Sequence, residues 1–232
     1  MNFLKIRMLR LKKSLGQNFL SDNNVIKKIA SLDNLSSQTV LEIGPGSGNL
    51  TEFIIKKQPK KIILVEKDQR FCKLLKEKFG HQKGLEIHNK DILEYNFNEV
   101  LLKDSIVFGN LPYNISTEIL SKWIISTNKN FWFSKLILMF QKEVADRIIS
   151  KINTSNYGRL SILSNWKLFV KKVFDINSSC FNPKPKVQST LLMFSPRKKF
   201  PKLENSKNLE FVTRIFFNQR RKKIKKPINK LF

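Results

Sequence analysis

The apolar positions of this chain change period as it proceeds. From about residue 39, short apolar runs (TVLEI, KIILVE, GLEIH, SIVFGN and KLILMF) alternate with longer segments whose apolar residues recur every three to four positions. The short runs predict buried strands. The segments NLTEFIIKK, DQRFCKLLKEKF and STEILSKWIIS predict amphipathic helices, with Asp68 and Ser116 placed to cap two of them. Strand–helix alternation of this kind predicts an α/β fold with a mostly parallel sheet covered on both faces. Ahead of it, SDNNVIKKIASL predicts a capped helix. After it come predicted helices near 142–150 and 160–166 and strands near 169–176 and 190–195. The pattern breaks at SPRKKFPK, which places a boundary near Arg197. Residues 1–197 then form one domain, and 198–232 a short basic segment of one or two helices.

Charge changes the picture. The 232 residues carry 44 Lys and Arg against 18 Asp and Glu, a net charge of +26. A field of that sign attracts polyanions, and nucleic acid is the leading partner. A general drift towards Lys does not account for basic residues crowding both ends. The two cysteines, Cys72 and Cys180, are far apart and lack metal-ligand spacing, which predicts a reducing, cytoplasmic setting. No apolar run reaches the length of a membrane span, and the start has no signal-peptide core.

The candidate chemistry gathers at strand ends. VLEIGPGSGNL puts Gly44, Gly46 and Gly48 between a strand and a helix, where backbone can approach a ligand and a helix start offers free N–H groups. The G-x-G-x-G spacing departs from the dinucleotide fingerprint and favours S-adenosylmethionine, although a tight turn alone would use the same residues. Glu66 ends the next strand, where a carboxylate can accept hydrogen bonds from a ribose diol. Asp91 follows the strand after that and can accept from an adenine amino group. Each carboxylate alone could be a surface group or a cap. Their recurrence at successive strand ends fits ligand binding on the carboxyl rim of an open sheet.

The fourth strand runs into GNLPYNIS. An exocyclic amino nitrogen is a weak nucleophile because its lone pair is delocalised into the ring. The Asn110 side-chain oxygen and the Leu111 carbonyl, held by Pro112, can bind both amino hydrogens and localise that lone pair, while Tyr113 stacks on the base. Alignment and electrostatics then supply the catalysis without a side-chain nucleophile or a metal. The loop SSCFNPKPKVQST hangs a second aromatic, Phe181, over the pocket opposite Tyr113 in this reading, helping to hold an extruded base. SLGQNFL, with Gln17, Asn18 and Leu20, can close over the methyl donor.

Taken in order, GQNFLSD, EIGPGSGNLT, VEKD, KDIL, GNLPYNIS, QKEVADRI, NYGRLSIL and CFNPKPKVQSTLL resemble the KsgA/Dim family of small-subunit rRNA adenine-N6 dimethyltransferases. The resemblance implies a Rossmann-like methyltransferase fold with a seven-stranded sheet, and S-adenosylmethionine as donor, released as S-adenosylhomocysteine. It implies donor contacts at Gln17, Asn18, Leu20, Gly44, Gly46, Glu66, Lys67, Asp91, Ile92 and Asn110. Target-base contacts would fall on Asn110, Leu111, Pro112, Tyr113 and Phe181. The implied partner is 16S rRNA in a small-subunit assembly intermediate, engaged by a monomer, with four methyls placed on two adjacent adenosines of the 3′-terminal hairpin. The resemblance also implies a longer helical C-terminal domain than residues 198–232 provide. Competing readings are a 23S rRNA methyltransferase of the Erm type, a non-catalytic rRNA-binding assembly factor and, least favoured by the glycine spacing and the charge, a nicotinamide oxidoreductase.

Overall fold

A computed structural model describes residues 18–97, 102–127, 131–218 and 223–229. Gln17 and Arg220, Arg221 and Lys222 of the tail lie outside the described residues, so the readings placed on them do too. A two-stranded ribbon is formed by β1 (Phe19–Leu20) and β8 (Phe181–Asn182). Apart from it stands a seven-stranded sheet, which forms the centre of the fold. Its strands are β2 (Thr39–Ile43), β3 (Lys61–Glu66), β4 (Leu85–Asn89), β5 (Ser105–Gly109), β6 (Phe133–Gln141), β7 (Leu168–Ile176) and β9 (Ser189–Pro196). They lie in the order β4-β3-β2-β5-β6-β9-β7. Strands β2 to β6 run parallel, whereas β9 lies antiparallel between β6 and β7. The sheet has the strand count that the resemblance implied.

Two apolar layers cover the sheet, as parallel strands require. On one face α1 (Asn23–Ala30), α2 (Asn49–Ile55) and α3 (Gln69–Phe79) bury Ile26, Ile54 and Leu75 against Val40, Leu64 and Ile137. On the other face, α4 (Ser116–Ser126), α5 (Lys142–Ile148) and α6 (Arg159–Lys167) bury Ile119, Trp123 and Ile148 against Leu41, Val107 and Leu138. Asp22 caps α1 and Asp68 caps α3, each carboxylate accepting from an early backbone amide. Ser116 is not a cap. It is the first helical residue of α4, and the Pro112 carbonyl accepts from both Ile115 and Ser116 amides. Its hydroxyl instead donates to the Tyr113 carbonyl at 3.3 Å.

Beyond Arg197, α7 (Ser206–Asn218) and the short α8 (Lys225–Ile228) match the one or two helices predicted. Helix α7 lies against α6. Thr213 is buried, Arg159 pairs with Glu210, and the Tyr157 and Phe217 rings meet edge to face. No helix among the described residues is long and apolar enough to cross a membrane.

Candidate active site

Sheet register decides the site. Ile43 pairs with Val65 on one side and Gly109 on the other, and Glu66 pairs with Asn89. Strand order therefore lines up Asp91, Glu66, Gly44 and Asn110 in one row along the carboxyl rim, although they are far apart in the chain. Neighbouring strands lie about 4.8 Å apart, so the row is about 14 Å long. A cleft opens above it, lined by Asn18, Gly44, Glu66, Lys67, Asp91, Ile92, Asn110, Leu111, Pro112 and Tyr113 among others. These ten predicted site residues thus share one surface. Phe19, Ile43, Val65, Lys90, Leu93, Asn114 and Ile115 complete the lining.

Gly44 and Gly46 both adopt positive φ, 64° and 53°, the left-handed region that favours glycine. At Gly46 a Cβ would also stand 2.2 Å from a Phe19 ring carbon. The turn therefore needs glycine for conformation and for space. Gly46 does not line the cleft; its amide donates to Glu66 Oε2 at 3.1 Å. The Asp68 amide donates to Glu66 Oε1 at 2.9 Å, so backbone amides hold both oxygens. Burial pushes the Glu66 carboxyl above its ordinary value, and the amide bonds oppose that shift.

Glu42, one strand over, carries no sequence signal for the site, because an acidic residue inside an apolar run reads as a solvent-facing strand position. It is buried, accepts from Thr51 Oγ1 at 2.7 Å, and is pushed up to about 8 by burial, with a smaller contribution from nearby Glu66. Asp91 has the opposite balance. Burial raises it, but the Lys67 ammonium at 2.7 Å and the Leu93 amide at 3.0 Å outweigh this and hold it below its ordinary value. Lys67 is thus the counter-ion of Asp91 across the cleft mouth.

The Asn110 amide is locked. Its Nδ2 donates to the Asn18 carbonyl at 2.7 Å, and its Oδ1 has no donor among the described residues. The acceptor end of the amide is therefore left for a ligand. Tyr113 is held by a 2.6 Å hydrogen bond between its hydroxyl and Ser189 Oγ, a group buried at the start of β9. Ser189 sits inside the predicted loop motif, but its pairing with a tyrosine 76 residues away has no local sequence signal.

Besides Gly46, two predicted residues stand outside the cleft lining. Leu20 is buried, and its carbonyl accepts from Asn49 Nδ2 at 2.8 Å. Phe181 differs from its expected place opposite Tyr113. It is 3% exposed and packs in the same apolar layer as Leu20 and Phe108. The reason is the β1–β8 pairing, Leu20 opposite Phe181, which draws an apolar ring into the core.

Comparison with known proteins agrees with this geometry. Residues 8–232 match the model of the family described as ribosomal RNA adenine dimethylase. The chain is 59% identical over 224 residues to the ribosomal RNA small subunit methyltransferase A of Pelagibacter ubique (strain HTCC1062), spanning 97% of this chain and 85% of that protein. The crystal structure of a dimethyladenosine transferase from Plasmodium falciparum superposes with a TM-score of 0.72 at 32% identity, covering 89% of this chain and 73% of that one. The 23S rRNA methyltransferase ErmE superposes with a TM-score of 0.67 at 25% identity, over 92% of this chain and 84% of its own.

Proposed function

Because the chain belongs to the ribosomal RNA adenine dimethylase family, it is an S-adenosylmethionine-dependent rRNA adenine dimethyltransferase, and we propose that its substrate is the small-subunit rRNA. In this reading it places two methyls on N6 of each of two adjacent adenosines in the 3′-terminal hairpin of 16S rRNA, late in subunit assembly. It does so in the cytoplasm and as a monomer. The small-subunit name of the Pelagibacter relative, at 59% identity, supports this choice over the large subunit.

The cleft suits a donor with a ribose diol and an adenine. It offers two acidic acceptors in a row, apolar walls from Ile43, Val65 and Ile92, and a glycine turn at the row's middle. Glu66 would accept from the ribose hydroxyls, and Asp91, neutralised in part by Lys67, would accept from the adenine amino group. Asn18, Gly44 and Ile92 would line its path, with Leu20 supporting them from behind. When bound, S-adenosylmethionine supplies an electrophilic methyl group and departs as S-adenosylhomocysteine.

The observation that carries the mechanism is the locked amide. With Nδ2 committed to Asn18, Asn110 presents only an acceptor to the cleft, which suits a target amino group. Asn110 Oδ1 and the Leu111 carbonyl would accept hydrogen bonds from its N–H groups, two before the first methyl and one before the second, and localise its lone pair. The proton lost after each transfer passes to water, and Pro112 fixes the backbone that carries the second acceptor. An amide is too weak a base to remove a proton, so Asn110 positions the amino group and does not deprotonate it. The Tyr113 ring stacks on the base at an angle set by Ser189. Phe181 serves this arrangement from the core by fixing the β1–β8 ribbon that carries Asn18.

Mass spectrometry of both rRNAs after incubation with the chain and isotopically labelled donor tests the reading. Two adjacent N6-dimethyladenosines in 16S rRNA are expected. Label confined to 23S rRNA would transfer the activity to the large subunit, and no label in either would leave a binding factor.

A further inference from the structure

The antiparallel end of the sheet has a face that no helix among the described residues covers completely. Register puts Phe169 opposite Ser195 and Lys171 opposite Met193. Met193 in turn lies opposite Ile137, so these side chains share the face on which α1 packs. Helix α1 covers the rim end, where Ile176 and Leu191 are buried and Lys28 Nζ stands 4.1 Å from the Phe174 ring centroid. Past that point Phe169 is 56% exposed. The Arg197 guanidinium sits 4.0 Å over its ring, and Lys171 is exposed with no ion pair among the described residues.

Lysines on an edge strand have an ordinary purpose, since they hinder pairing with another sheet. That purpose does not call for a large exposed aromatic roofed by a guanidinium. Cations interleaved with aromatic rings make a platform for phosphates and stacked bases. We propose that the uncovered face carrying Phe169, Lys171 and Arg197 is a second RNA-binding strip, which grips rRNA flanking the target nucleotide. The proposal rests on the rRNA substrate read above and adds where that substrate is held. Strand β7 itself connects the two places. From Phe169 to Ile176 it rises about 23 Å, a distance that a few nucleotides of RNA bridge. Ile176 then pairs with Ser189, whose hydroxyl holds Tyr113 in the cleft. The acidic groups nearest this path are already matched, Asp175 by Lys142 and Lys172, and Asp33 by Lys135.

The test uses the full chain carrying Phe169→Ala with Lys171→Glu, both at exposed positions, and Lys171→Arg as the conservative control. Arg197 is left intact because its Nε donates to the Leu168 carbonyl and a change there would disturb β7. Thermal melting and donor calorimetry should match the parent. Affinity for a small-subunit rRNA transcript should fall about tenfold or more, and the log–log salt slope should fall by about 0.7 to 0.9. Under turnover KM for RNA should rise while kcat at saturating RNA holds, and Lys171→Arg should behave as the parent. RNA affinity and slope unchanged in the double variant would overturn the strip. So would unchanged RNA binding with loss of self-association in sedimentation, which would assign the face to a second copy of the chain. If the parent itself failed to methylate rRNA, the functional reading would fall, and donor-free binding would still decide the strip.

Discussion

At the scale of single residues, two groups in the site are governed by what surrounds them. Asn110 is committed at one end to Asn18, and its free oxygen matters chiefly when an amino lone pair must be localised. In the proposed mechanism its effect belongs mainly to the transition state. Asn110→Ala should therefore lower the single-turnover rate at saturating donor and RNA about a hundredfold or more, the loss seen when a preorganised polar group is removed. rRNA binding should change little, because docking rests on many phosphate contacts. A parental single-turnover rate would return the NLPY segment to being a turn. Glu42 makes a pH prediction. Its folded carboxyl titrates near 8, whereas its ordinary value is 4.5, so the folded state holds a proton that the unfolded chain releases. The stability this contributes is complete below about 4.5 and is lost as pH rises through about 8. Glu42→Gln keeps the size of the side chain and an acceptor for Thr51 without the titration. Thermal melts from pH 5 to 8.5 should show the parent losing stability relative to this variant; parallel curves would mean that Glu42 is ionised in the fold.

At the scale of elements, the cleft tyrosine depends on a strand from the other end of the chain. Tyr113 sits just before α4, and the hydroxyl that orients it belongs to β9. Tyr113→Phe keeps the stacking ring but breaks that link and leaves a buried serine unpartnered. One neutral hydrogen bond is worth about 1 kcal/mol, so turnover should fall about fivefold, mostly through looser capture of the base. Ser189→Ala should produce the same fall, and the two changes combined should cost no more than either alone. Additive losses in that double-mutant cycle would mean that the two hydroxyls act separately. The glycine turn and β1 are coupled in a similar way, since the space that Gly46 leaves is filled by the Phe19 ring.

For the whole molecule, the net charge of +26 suits the proposed rRNA substrate. Charge alone assigns residues 198–232 an electrostatic part in docking. In the fold, α7 is also a packing element, with Thr213 buried and Glu210 paired to Arg159 on α6. Truncation after Arg197 should therefore lower the melting temperature as well as rRNA affinity. It should also reduce the salt slope by about 0.7 for each phosphate of single-stranded RNA that the shortened chain no longer neutralises. Titrations of the truncated chain across a salt series, at a temperature where it remains folded, separate the two effects. An unchanged slope would confine the segment to a structural part.

The chain by itself determined what depends on local chemistry and period. Apolar runs of strand length, glycines at positions of positive φ and Asp68 at a helix start are short-range facts, and each stands where its pattern predicted. The strand-end positions of Glu66, Asp91 and Asn110 were equally legible, because strands of a parallel sheet all end on the same rim. Tertiary structure decided what depends on partners far away in the chain. Strand order turned those ends into a single row. The Asn18 carbonyl chose which end of the Asn110 amide faces the cleft across 92 residues, and Ser189 fixed Tyr113 across 76. Pairing with β1 sent Phe181 into the core although its loop motif suited a place above the base. Burial raised Glu42, an effect no linear pattern carries, since solvation depends on everything packed around a group. Packing also decided that Phe169, an apolar residue of a strand, stays 56% exposed.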